Sequence, residues 1–433
     1  MTENLENKIK TNKARIAVIG LGYVGLPLAL SFAKKGFKVL GLDNDYDRVK
    51  RLNEGTSYIL DIPSKELKNM VRCESLKAST DFALIKDMDV IIVCVPTPIK
   101  RRYTPDISFM LSAVKSVAQY LKKNTLVVLE STTYPGTTEE LIRPILEEKG
   151  FKAEKDFFLA FSPERIDPGN KHYDVTRIPK IVGGLSEKSG YLTKMLYQKI
   201  IKKVHLVSSA KVAEMTKLLE NSFRIVNIGW INEIAMMCHK MRIDIWEVIE
   251  AAKTKPFGFM PFYPGLGVGG HCIPEDPLYL YWKAKRYGFN PKFIKLAADT
   301  NAHMSLYAVH RLEEMLTAQK KKISSSKILI LGVTYKKDVK DLRKSPSLKL
   351  IEHLQLKGTR VDYHDPIIPY LKIGHLDLTS VRLNPRTISH YDVIVVAVDH
   401  TAVNYQLVLK SAKMIFDTRN VYGKIKSQKV IKL

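Results

Sequence analysis

The sequence predicts an α/β protein with two doubly wound α/β domains joined by a central helical domain that contains a long helix. Short apolar runs alternate with helical stretches in the first 207 residues, and this alternation returns after residue 320. Between them, residues 208–241 lack proline and carry apolar residues at helical spacing. We therefore predict domains at residues 1–207, 208–320 and 321–433.

The first domain opens with a strand, a glycine-rich turn, a helix and a second strand. Arg15–Gly20 and Lys38–Asp43 are strand-like and flank the helical Leu26–Lys35. In this context the G-x-G-x-x-G motif at residues 20–25 indicates the dinucleotide-binding turn of a Rossmann-like domain, in which a pyrophosphate lies at a helix N-terminus. Asp43 would accept hydrogen bonds from the ribose and repel a 2′-phosphate, which predicts NAD. The alternative is a tight turn that binds no ligand.

The rest of the first domain continues the alternation. Further strands are predicted at Asp89–Val95, Thr125–Leu129, Phe157–Phe161 and Ile181–Val182, with helices at Asp106–Lys122 and Thr137–Lys149. Polar clusters at residues 96–98, 130–137 and 162–165 follow three of these strands. Because ligands of open α/β sheets bind beyond the carboxyl ends of the strands, these clusters are candidate site residues.

The central and C-terminal domains are predicted in less detail. Residues 208–241 form the long helix, a second helix is predicted at Ile245–Ala252, residues 255–276 are predicted to be an irregular loop, and helices follow from Pro277 to about residue 319. The C-terminal domain begins with the strand Lys327–Gly332 and has no G-x-G-x-x-G motif. It should therefore bind something other than a second dinucleotide in the standard mode.

A thiol lies within a glycine-rich segment of the central domain. Cys272 follows Gly269, Gly270 and His271, and glycines allow a ligand to approach the backbone closely. A cysteine thiolate is a strong nucleophile. His271 alone could be a metal ligand or a base, but no second cluster of His and Cys has ligand spacing, so no metal is predicted. The three other cysteines are widely spaced, which indicates no disulfide framework.

The net charge of +25 raises the question of nucleic acid or anionic lipid as a partner. The lysines are scattered among acids without a long basic run, which favours a solvated basic surface that partly serves small anionic ligands. No apolar run is long enough to cross a bilayer, and residues 1–13 lack the apolar core of a signal peptide. We expect a cytoplasmic protein without nucleic acid or membrane insertion.

Seven motifs, taken in order, make the chain resemble the UDP-sugar 6-dehydrogenases over nearly its whole length. They are Gly20–Gly25, Ser131–Thr137, Ser162–Glu164, Glu214–Lys217 with Asn221, Gly269–Asp276, Gly332–Lys336 with Asp341–Arg343, and Asp417–Asn420. The histidine directly before the cysteine, His271, makes the chain resemble the branch of the family that acts on UDP-N-acetylhexosamines. Within that branch, the segment Lys255–Gly265 is most similar to UDP-N-acetylglucosamine 6-dehydrogenases. The chain departs from the family at Glu275, where relatives often have an apolar residue, and at Ser305, where many have proline. We expect the second departure to alter only a helix start.

The resemblance implies a four-electron oxidation of the C6 alcohol of UDP-N-acetylglucosamine to a carboxylate with two NAD⁺, for polysaccharide precursor synthesis. An aldehyde must gain a nucleophile before it can be oxidised again, and Cys272 would add to give a thiohemiacetal and then a thioester. The alternative is the same chemistry on UDP-N-acetylmannosamine, UDP-N-acetylgalactosamine or UDP-glucose. More distant alternatives are a one-step hydroxyacid dehydrogenase and a basic NAD-binding module for nucleic acid.

The resemblance also implies the catalytic roles. Lys217 would stabilise the alkoxide and oxyanions, with Asn221 as a neutral donor, and Asp276 would hold a water for proton relay. Glu164 would be the general base of thioester hydrolysis, and Thr132 would position the water. Without the resemblance, Lys217 and Asn221 would be predicted as an exposed polar stripe, Asp276 as a helix N-cap before a proline, and Glu164 as a surface acid.

The remaining implied residues bind cofactor or substrate. The NAD site comprises Gly20, Gly22, Tyr23, Val24, Gly25, Asp43, Arg48, Thr97, Thr132 and Arg343. The UDP-sugar site comprises Glu164, Arg165, Lys217, Asn221, Lys255, Pro256, Phe257, Gly258, Tyr263, Gly267, His271, Lys336 and Arg419. The cations of Lys336 and Arg419 suit a diphosphate or a carboxylate. The middle helices are the expected interface of a homodimer or higher homo-oligomer, across which Arg419 could reach the active site.

Overall fold

The computed structural model describes residues 4–59, 62–100, 104–165, 177–425 and 427–433, which form two compact units. The first unit extends to Glu220 and includes Trp282–Gly288, and the second comprises Asn221–Tyr281 with Phe289–Leu433. Each unit contains a sheet of mostly or wholly parallel strands, which confirms the predicted α/β fold class.

The described residues of the first unit form an eight-stranded sheet. Its strands are β1 (Arg15–Ile19), β2 (Lys38–Leu42), β3 (Leu76–Ser79), β4 (Val90–Val93), β5 (Thr125–Leu129), β6 (Phe157–Phe161), β7 (Lys180–Gly184) and β8 (Val204–Val207). The order is β3-β2-β1-β4-β5-β6-β7-β8, parallel throughout except for the β6–β7 pair. The first six strands have the Rossmann order, which reverses between β1 and β4 and places a ligand crevice beyond their carboxyl ends.

Helices cover both faces of this sheet because its central strands are apolar on both sides. They are α1 (Leu5–Lys10), α2 (Gly25–Lys34), α3 (Tyr46–Asn53), α4 (Ser64–Arg72), α5 (Ser108–Tyr120), α6 (Arg143–Glu147) and α7 (Glu187–Tyr197). A 3₁₀ segment spans Phe82–Asp87, and a π-helical segment, Thr137–Ile142, leads into α6.

The predicted long helix is confirmed as α8 (Ala210–Lys240), which begins in the first unit and ends in the second. It is followed by α9 (Ile245–Ala252), α10 (Cys272–Arg286) and α11 (Lys292–Ala318). The expectation that Ser305 changes a helix start is wrong, because α11 begins well before this residue and Ser305 is buried in its interior.

The second sheet is wholly parallel among the described residues, with the order β10-β9-β13-β14-β15. Its strands are β9 (Lys327–Leu331), β10 (Arg360–His364), β13 (Val393–Val396), β14 (Ile415–Asp417) and β15 (Val430–Lys432), and β11 (Tyr370–Ile373) pairs with β12 (Leu376–Thr379) as a separate hairpin. The remaining helical segments are Ile323–Ser325 (3₁₀), α12 (Pro346–Leu356), α13 (Pro385–Ser389) and α14 (Tyr405–Ser411). The strand order reverses between β9 and β13. Within the described ranges no helix is both long and apolar enough to cross a membrane.

Candidate active site

The glycine-rich turn after β1 has the geometry of a phosphate cradle. Gly20 has a φ of +91°, and a Cβ atom there would lie 2.6 Å from the Cys94 carbonyl oxygen. A Cβ at Gly25 would lie 1.8 Å from the Gly20 oxygen, so these two glycines are required by the turn itself. Gly22 instead faces open space, with no atom within 4 Å of its ideal Cβ position. A ligand can therefore approach the backbone at Gly22, at the N-terminus of α2.

Asp43 connects the end of β2 to the glycine turn. Its carboxylate is buried and accepts hydrogen bonds from the backbone N–H of Leu21 (2.8 Å) and of Asp45 (3.0 Å). Arg48 lies 3.5 Å from the same carboxylate. Carboxylate oxygens can each accept two hydrogen bonds, so Asp43 can also hold a ribose hydroxyl.

Three other predicted cofactor residues lie in this turn or after the neighbouring strand β4. Val24 is the N-cap of α2 and makes no side-chain cap, so it leaves the helix N–H groups without side-chain competition. Tyr23 is exposed on the turn, and Thr97 is buried after β4, where the strand order reverses. The turn, Asp43 and these residues fit a dinucleotide.

Thr132 and Lys217 form a hydrogen-bonded pair in the first unit. The Lys217 Nζ donates to the Thr132 Oγ1 over 2.7 Å, and only 7% of Lys217 is exposed. The pair joins the polar segment after β5 to α8. The alternative of an exposed polar stripe is excluded, because Asn221, one turn further along α8, is also buried.

Asn221 and Asp276 form a second pair, in the second unit. The Asn221 Nδ2 donates to the Asp276 Oδ2 over 2.6 Å, and 1% of Asp276 is exposed. The prediction that residues 255–276 are a loop is wrong at its end, because α10 begins at Cys272. Asp276 is therefore inside the helix and is not its N-cap. Pro277 is accommodated within α10, where it lacks the N–H that would bond the Ile273 carbonyl.

Cys272 is exposed and is the first residue of α10. The two glycines before it pack against the segment after β9. A Cβ at Gly269 would lie 2.7 Å from the Tyr335 Cβ, and one at Gly270 would lie 2.9 Å from the Tyr335 ring. The Gly270 N–H also donates to the Arg343 carbonyl over 2.9 Å. This close packing fixes the backbone that leads into the thiol.

Two ionisable side chains, those of His271 and Glu275, flank Cys272 in the sequence. The buried Glu275 carboxylate is 3.3 Å from the His271 Nε2 and 2.6 Å from the Lys344 Nζ. Lys344 has a φ of +50°, which is uncommon for a residue with a side chain. Glu275, which departs from the family pattern, therefore ties the start of α10 to Lys344 in the segment that supports the glycines.

The predicted substrate loop around Tyr263–Gly267 is held by buried amides that the sequence reasoning missed. The Asn232 Oδ1 accepts the Gly265 N–H over 2.9 Å, and the Asn232 Nδ2 donates to the Asn301 Oδ1 over 2.9 Å. The available signal was an amide within the largely apolar stretch of α8 at residues 225–238. Arg419 lies beside this loop, since a Cβ at Gly265 would be 2.9 Å from its Nη1.

The other predicted substrate residues of the second unit are more exposed. The Lys255 Nζ lies 5.0 Å from the centre of the exposed Phe257 ring, and both belong to an irregular segment with Pro256 and Gly258. Tyr263 stacks on Trp246 at 6.0 Å between ring centres. Lys336 follows β9, where its carbonyl accepts the Thr334 hydroxyl over 2.9 Å.

Three predicted residues are engaged by partners that the sequence reasoning missed. The Glu164 carboxylate is 3.3 Å from the Lys180 Nζ and its side chain is 14% exposed, so it is not a plain surface acid. The Arg165 Nε donates to the Glu220 carboxylate over 3.0 Å. The Arg343 guanidinium forms a bidentate contact with Asp341, at 2.6 Å for the closest atoms.

Comparison with known proteins identifies the family. The NAD binding, central and UDP binding domains of the UDP-glucose/GDP-mannose dehydrogenase family match residues 14–201, 211–303 and 329–424. A UDP-N-acetyl-D-glucosamine 6-dehydrogenase of Pseudomonas aeruginosa is 38% identical, covering 95% of this chain and 98% of the relative. The chain belongs to the UDP-glucose/GDP-mannose dehydrogenase family.

A second relative has a different named substrate. A UDP-N-acetyl-D-mannosamine dehydrogenase of Pyrococcus horikoshii is 36% identical, covering 94% of this chain and 96% of the relative. The structure of a UDP-D-ManNAc dehydrogenase from P. horikoshii superposes with a TM-score of 0.87 at 34% identity, covering 96% and 98% of the two chains. The protein is thus an NAD-dependent UDP-sugar dehydrogenase by family, with the NAD cofactor as predicted.

Proposed function

We propose that the protein oxidises the C6 hydroxyl of UDP-N-acetylglucosamine to a carboxylate through a thioester on Cys272, for polysaccharide precursor synthesis. The position of this thiol carries the proposal. Cys272 is exposed at the first residue of α10, and its approach is lined by glycines that cannot carry side chains without striking Tyr335. A helix N-terminus favours the thiolate, which is the nucleophilic form.

The cofactor is held by the residues of the glycine turn. Gly20, Gly22 and Gly25 would admit the pyrophosphate to the N-terminus of α2, and Asp43 would accept the ribose hydroxyls. Arg48, Thr97, Thr132 and Arg343, with Tyr23 and Val24, would complete the site. When bound, NAD⁺ supplies the oxidising power by accepting one hydride in each of the two oxidations.

The first oxidation converts the C6 alcohol to an aldehyde, and the hydroxyl proton must leave as the hydride departs. The ammonium of Lys217, oriented by Thr132, would stabilise the developing alkoxide. Asp276, oriented by Asn221, would hold a water that carries the proton away. Lys217, Asn221 and Asp276 are buried, which would keep these groups oriented before the substrate arrives.

The second oxidation requires a covalent intermediate. The Cys272 sulfur would add to C6 of the aldehyde to form a thiohemiacetal, and Lys217 and Asn221 would stabilise its oxygen. Loss of the second hydride from C6 leaves a thioester. Glu164 would then take a proton from a water positioned by Thr132, which attacks the thioester carbon, releases the carboxylate and restores the thiol.

The UDP-sugar would be held by residues of the second unit and by Glu164 with Arg165. Lys255–Gly258, Tyr263 and Gly267 would surround the nucleotide sugar, and His271 would contact the sugar or the nicotinamide region. Lys336 and Arg419 would supply cations for the diphosphate or the new carboxylate. We place the domain boundaries at residues 207/208 and 320/321, with the UDP-binding domain at the C-terminus.

The choice of sugar is supported by the 38% identity to the P. aeruginosa UDP-N-acetyl-D-glucosamine 6-dehydrogenase. The second candidate is UDP-N-acetylmannosamine, which is favoured by the P. horikoshii relative at 36% identity and by its structure. Both sugars carry the C6 alcohol, so the mechanism is the same for either.

We also propose that the protein forms a homodimer or higher homo-oligomer through its middle helices. Phe223, Trp230 and Met237 are each about half exposed and recur every seven residues on α8, so they share one face. Phe293 and Leu296 of α11 are more exposed still. Large apolar side chains exposed in this way are typical of an interface.

The test is to incubate the protein with NAD⁺ and each candidate UDP-sugar while NADH and product mass are followed together. We expect two NADH per UDP-N-acetylglucosamine and a carboxylate product, with slower turnover of the other sugars. Cys272→Ala should abolish the second oxidation, while Cys73→Ala, at another exposed cysteine, should be fully active. One NADH per sugar, or full activity in Cys272→Ala, would reject the thioester mechanism.

A further inference from the structure

A buried ion-pair network lies behind Glu164 in the first unit. The Lys180 Nζ is 2.9 Å from the Glu130 Oε2 and 3.3 Å from the Glu164 Oε2. Tyr197 donates its hydroxyl hydrogen bond to the other oxygen of Glu130. The side chain of Lys180 is 6% exposed and that of Glu130 is fully buried.

The sheet explains why these side chains meet. Glu130 directly follows β5, Glu164 lies shortly after β6, and Lys180 is the first residue of β7, which runs antiparallel to β6. The carboxyl ends of β5 and β6 and the amino end of β7 therefore lie at one edge of the sheet. Tyr197, the last residue of α7, reaches Glu130 from a helix that packs on β5, β6 and β7.

The network is electrostatically arranged around one cation. Burial alone would lower the pKa of Lys180, but the carboxylates of Glu130 and Glu164 together raise it, so the ammonium is kept charged. Burial raises the pKa of Glu130, against the opposing charge of Lys180. A buried charge persists only when it is paired and hydrogen-bonded, as Lys180 is here.

We propose that Lys180 is a positioning residue for Glu164, and that Glu130, held by Tyr197, limits how much of the Lys180 charge acts on Glu164. This inference rests on the proposed role of Glu164 as the base of thioester hydrolysis. Lys180 holds one carboxylate oxygen of Glu164 and so fixes the direction of the carboxylate. Glu130 is the closer and more deeply buried partner of Lys180, so Glu164 is anchored by a cation that it shares with a second carboxylate.

The balance between the two carboxylates matters because an opposite charge lowers the pKa of a carboxyl group and weakens it as a base. If Glu130 were neutral, the charge of Lys180 would act on Glu164 alone. If Lys180 were neutral, Glu164 would lose its anchor and the buried Glu130 would take up a proton. The two changes therefore have different effects on hydrolysis, whereas a purely structural ion pair would change only stability.

The test is a rapid-mixing experiment on the full chain with NAD⁺ and UDP-N-acetylglucosamine, in which NADH and the acylated protein mass are both followed. Glu164→Gln serves as the reference, and it should release NADH normally and accumulate the thioester. Lys180→Met should do the same, with hydrolysis slowed about 10²-fold, as expected for a misplaced base. Lys180→Arg, which keeps the charge, should recover part of the rate.

Glu130→Gln keeps the shape of the buried side chain, and it provides a second test should the Lys180 variants fail to fold. It should move the acidic limb of the hydrolysis pH profile down by about one unit, with the KM for UDP-sugar unchanged. If Glu164→Gln accumulates thioester while Lys180→Met and Glu130→Gln hydrolyse it with the wild-type rate and pH profile, the inference is overturned and the role of Glu164 stands. If Glu164→Gln hydrolyses the thioester normally, both fail.

Discussion

Asn221 donates a hydrogen bond of 2.6 Å to the carboxylate of Asp276, and both side chains are buried. The pair joins α8 to the second turn of α10, the helix that begins with Cys272. The thiol and the carboxylate are therefore held on one helix whose orientation is tied to Asn221. A carboxylate fixed in this way is suited to orienting a water rather than to ordinary capping.

Replacement of Asp276 by Asn tests this role. The side chain keeps its shape and can still accept the Asn221 hydrogen bond, but it loses the charge needed to carry a proton away. We expect kcat to fall by about 10²–10⁴-fold, as for loss of a general acid–base group, while the KM for UDP-sugar changes little. Steady-state NADH formation measures this, with circular dichroism as the control for folding. A kcat within about twofold of wild type would contradict a role in proton transfer.

Gly22→Ala tests the cofactor cradle. The added methyl group meets no protein atom within 4 Å, so the fold and the thermal stability should be preserved. The methyl group would occupy the space into which the pyrophosphate must come, so the KM for NAD⁺ should rise at least about tenfold. The matched variant is Gly25→Ala, whose Cβ would lie 1.8 Å from the Gly20 oxygen and should destabilise the domain itself. An unchanged KM for NAD⁺ in Gly22→Ala would place the cofactor elsewhere.

We expect Glu214 to make the stability of the first unit depend on pH. Its buried carboxyl accepts the backbone N–H groups of Gly136 and Thr138, and burial raises its pKa from 4.5 to about 7. The folded state therefore binds this proton more tightly than the unfolded state. The contribution of this proton to the free energy of unfolding is fully present below pH 4.5, and it is lost as the pH rises to about 7.

The expected result is that the free energy of unfolding of wild type, relative to Glu214→Gln, falls by about 1–3 kcal/mol between pH 5 and pH 8. Denaturant unfolding of both proteins across this range gives the difference directly. Glu140→Gln is the control, at an exposed carboxylate whose pKa is lowered by Lys283. The free energy of unfolding of wild type relative to Glu140→Gln should not fall between pH 5 and pH 8. A constant difference between wild type and Glu214→Gln would show that the proton is not retained on folding.

The sequence predicts best the parts of this fold that are buried on all sides. β5 and β6 were predicted with their observed bounds, because five consecutive apolar or buried residues leave few alternatives. β8 and the β11–β12 hairpin were missed, since their residues are largely exposed and lack an apolar run. The start of α10 was misplaced because Pro277 suggested a first helical position, whereas it lies inside the helix.

In the candidate site, individual residues could be predicted from the sequence, but their contacts could not. The resemblance predicted roles for Lys217, Asn221 and Asp276, but spacing could not reveal that Asn221 bonds a residue 55 positions away. Lys180 was not predicted as a site residue, and Glu130 was included only in the polar cluster at residues 130–137, because each adjoins an apolar strand and the two are 50 positions apart. A charged residue next to a buried apolar run was the available signal. The contact between Lys180 and Glu130 can be deduced only once the order of the strands in the sheet is known.

Lys344 and Glu275 provide a test of how the segment before Cys272 is held. Lys344→Ala would leave the buried Glu275 carboxylate without its lysine partner, and we expect the free energy of unfolding to fall by about 1 kcal/mol, since half of the lysine side chain is exposed to solvent. Glu275→Leu removes the buried charge, and the double variant should recover most of the loss. Unfolding of the four proteins gives the coupling energy. Strictly additive losses would show that the ion pair contributes nothing.

Trp230 tests the proposed interface of the middle helices. It is 52% exposed on the face of α8 that also carries Phe223 and Met237. Trp230→Glu places a charge in the centre of this apolar face, and because a desolvated unpaired charge is costly, the dimer should dissociate to monomers at micromolar concentration. Leu356→Glu, at the exposed C-terminal end of α12, is the matched control and should leave the mass unchanged. Sedimentation velocity separates the species, and an oligomer that survives Trp230→Glu intact would require a different interface.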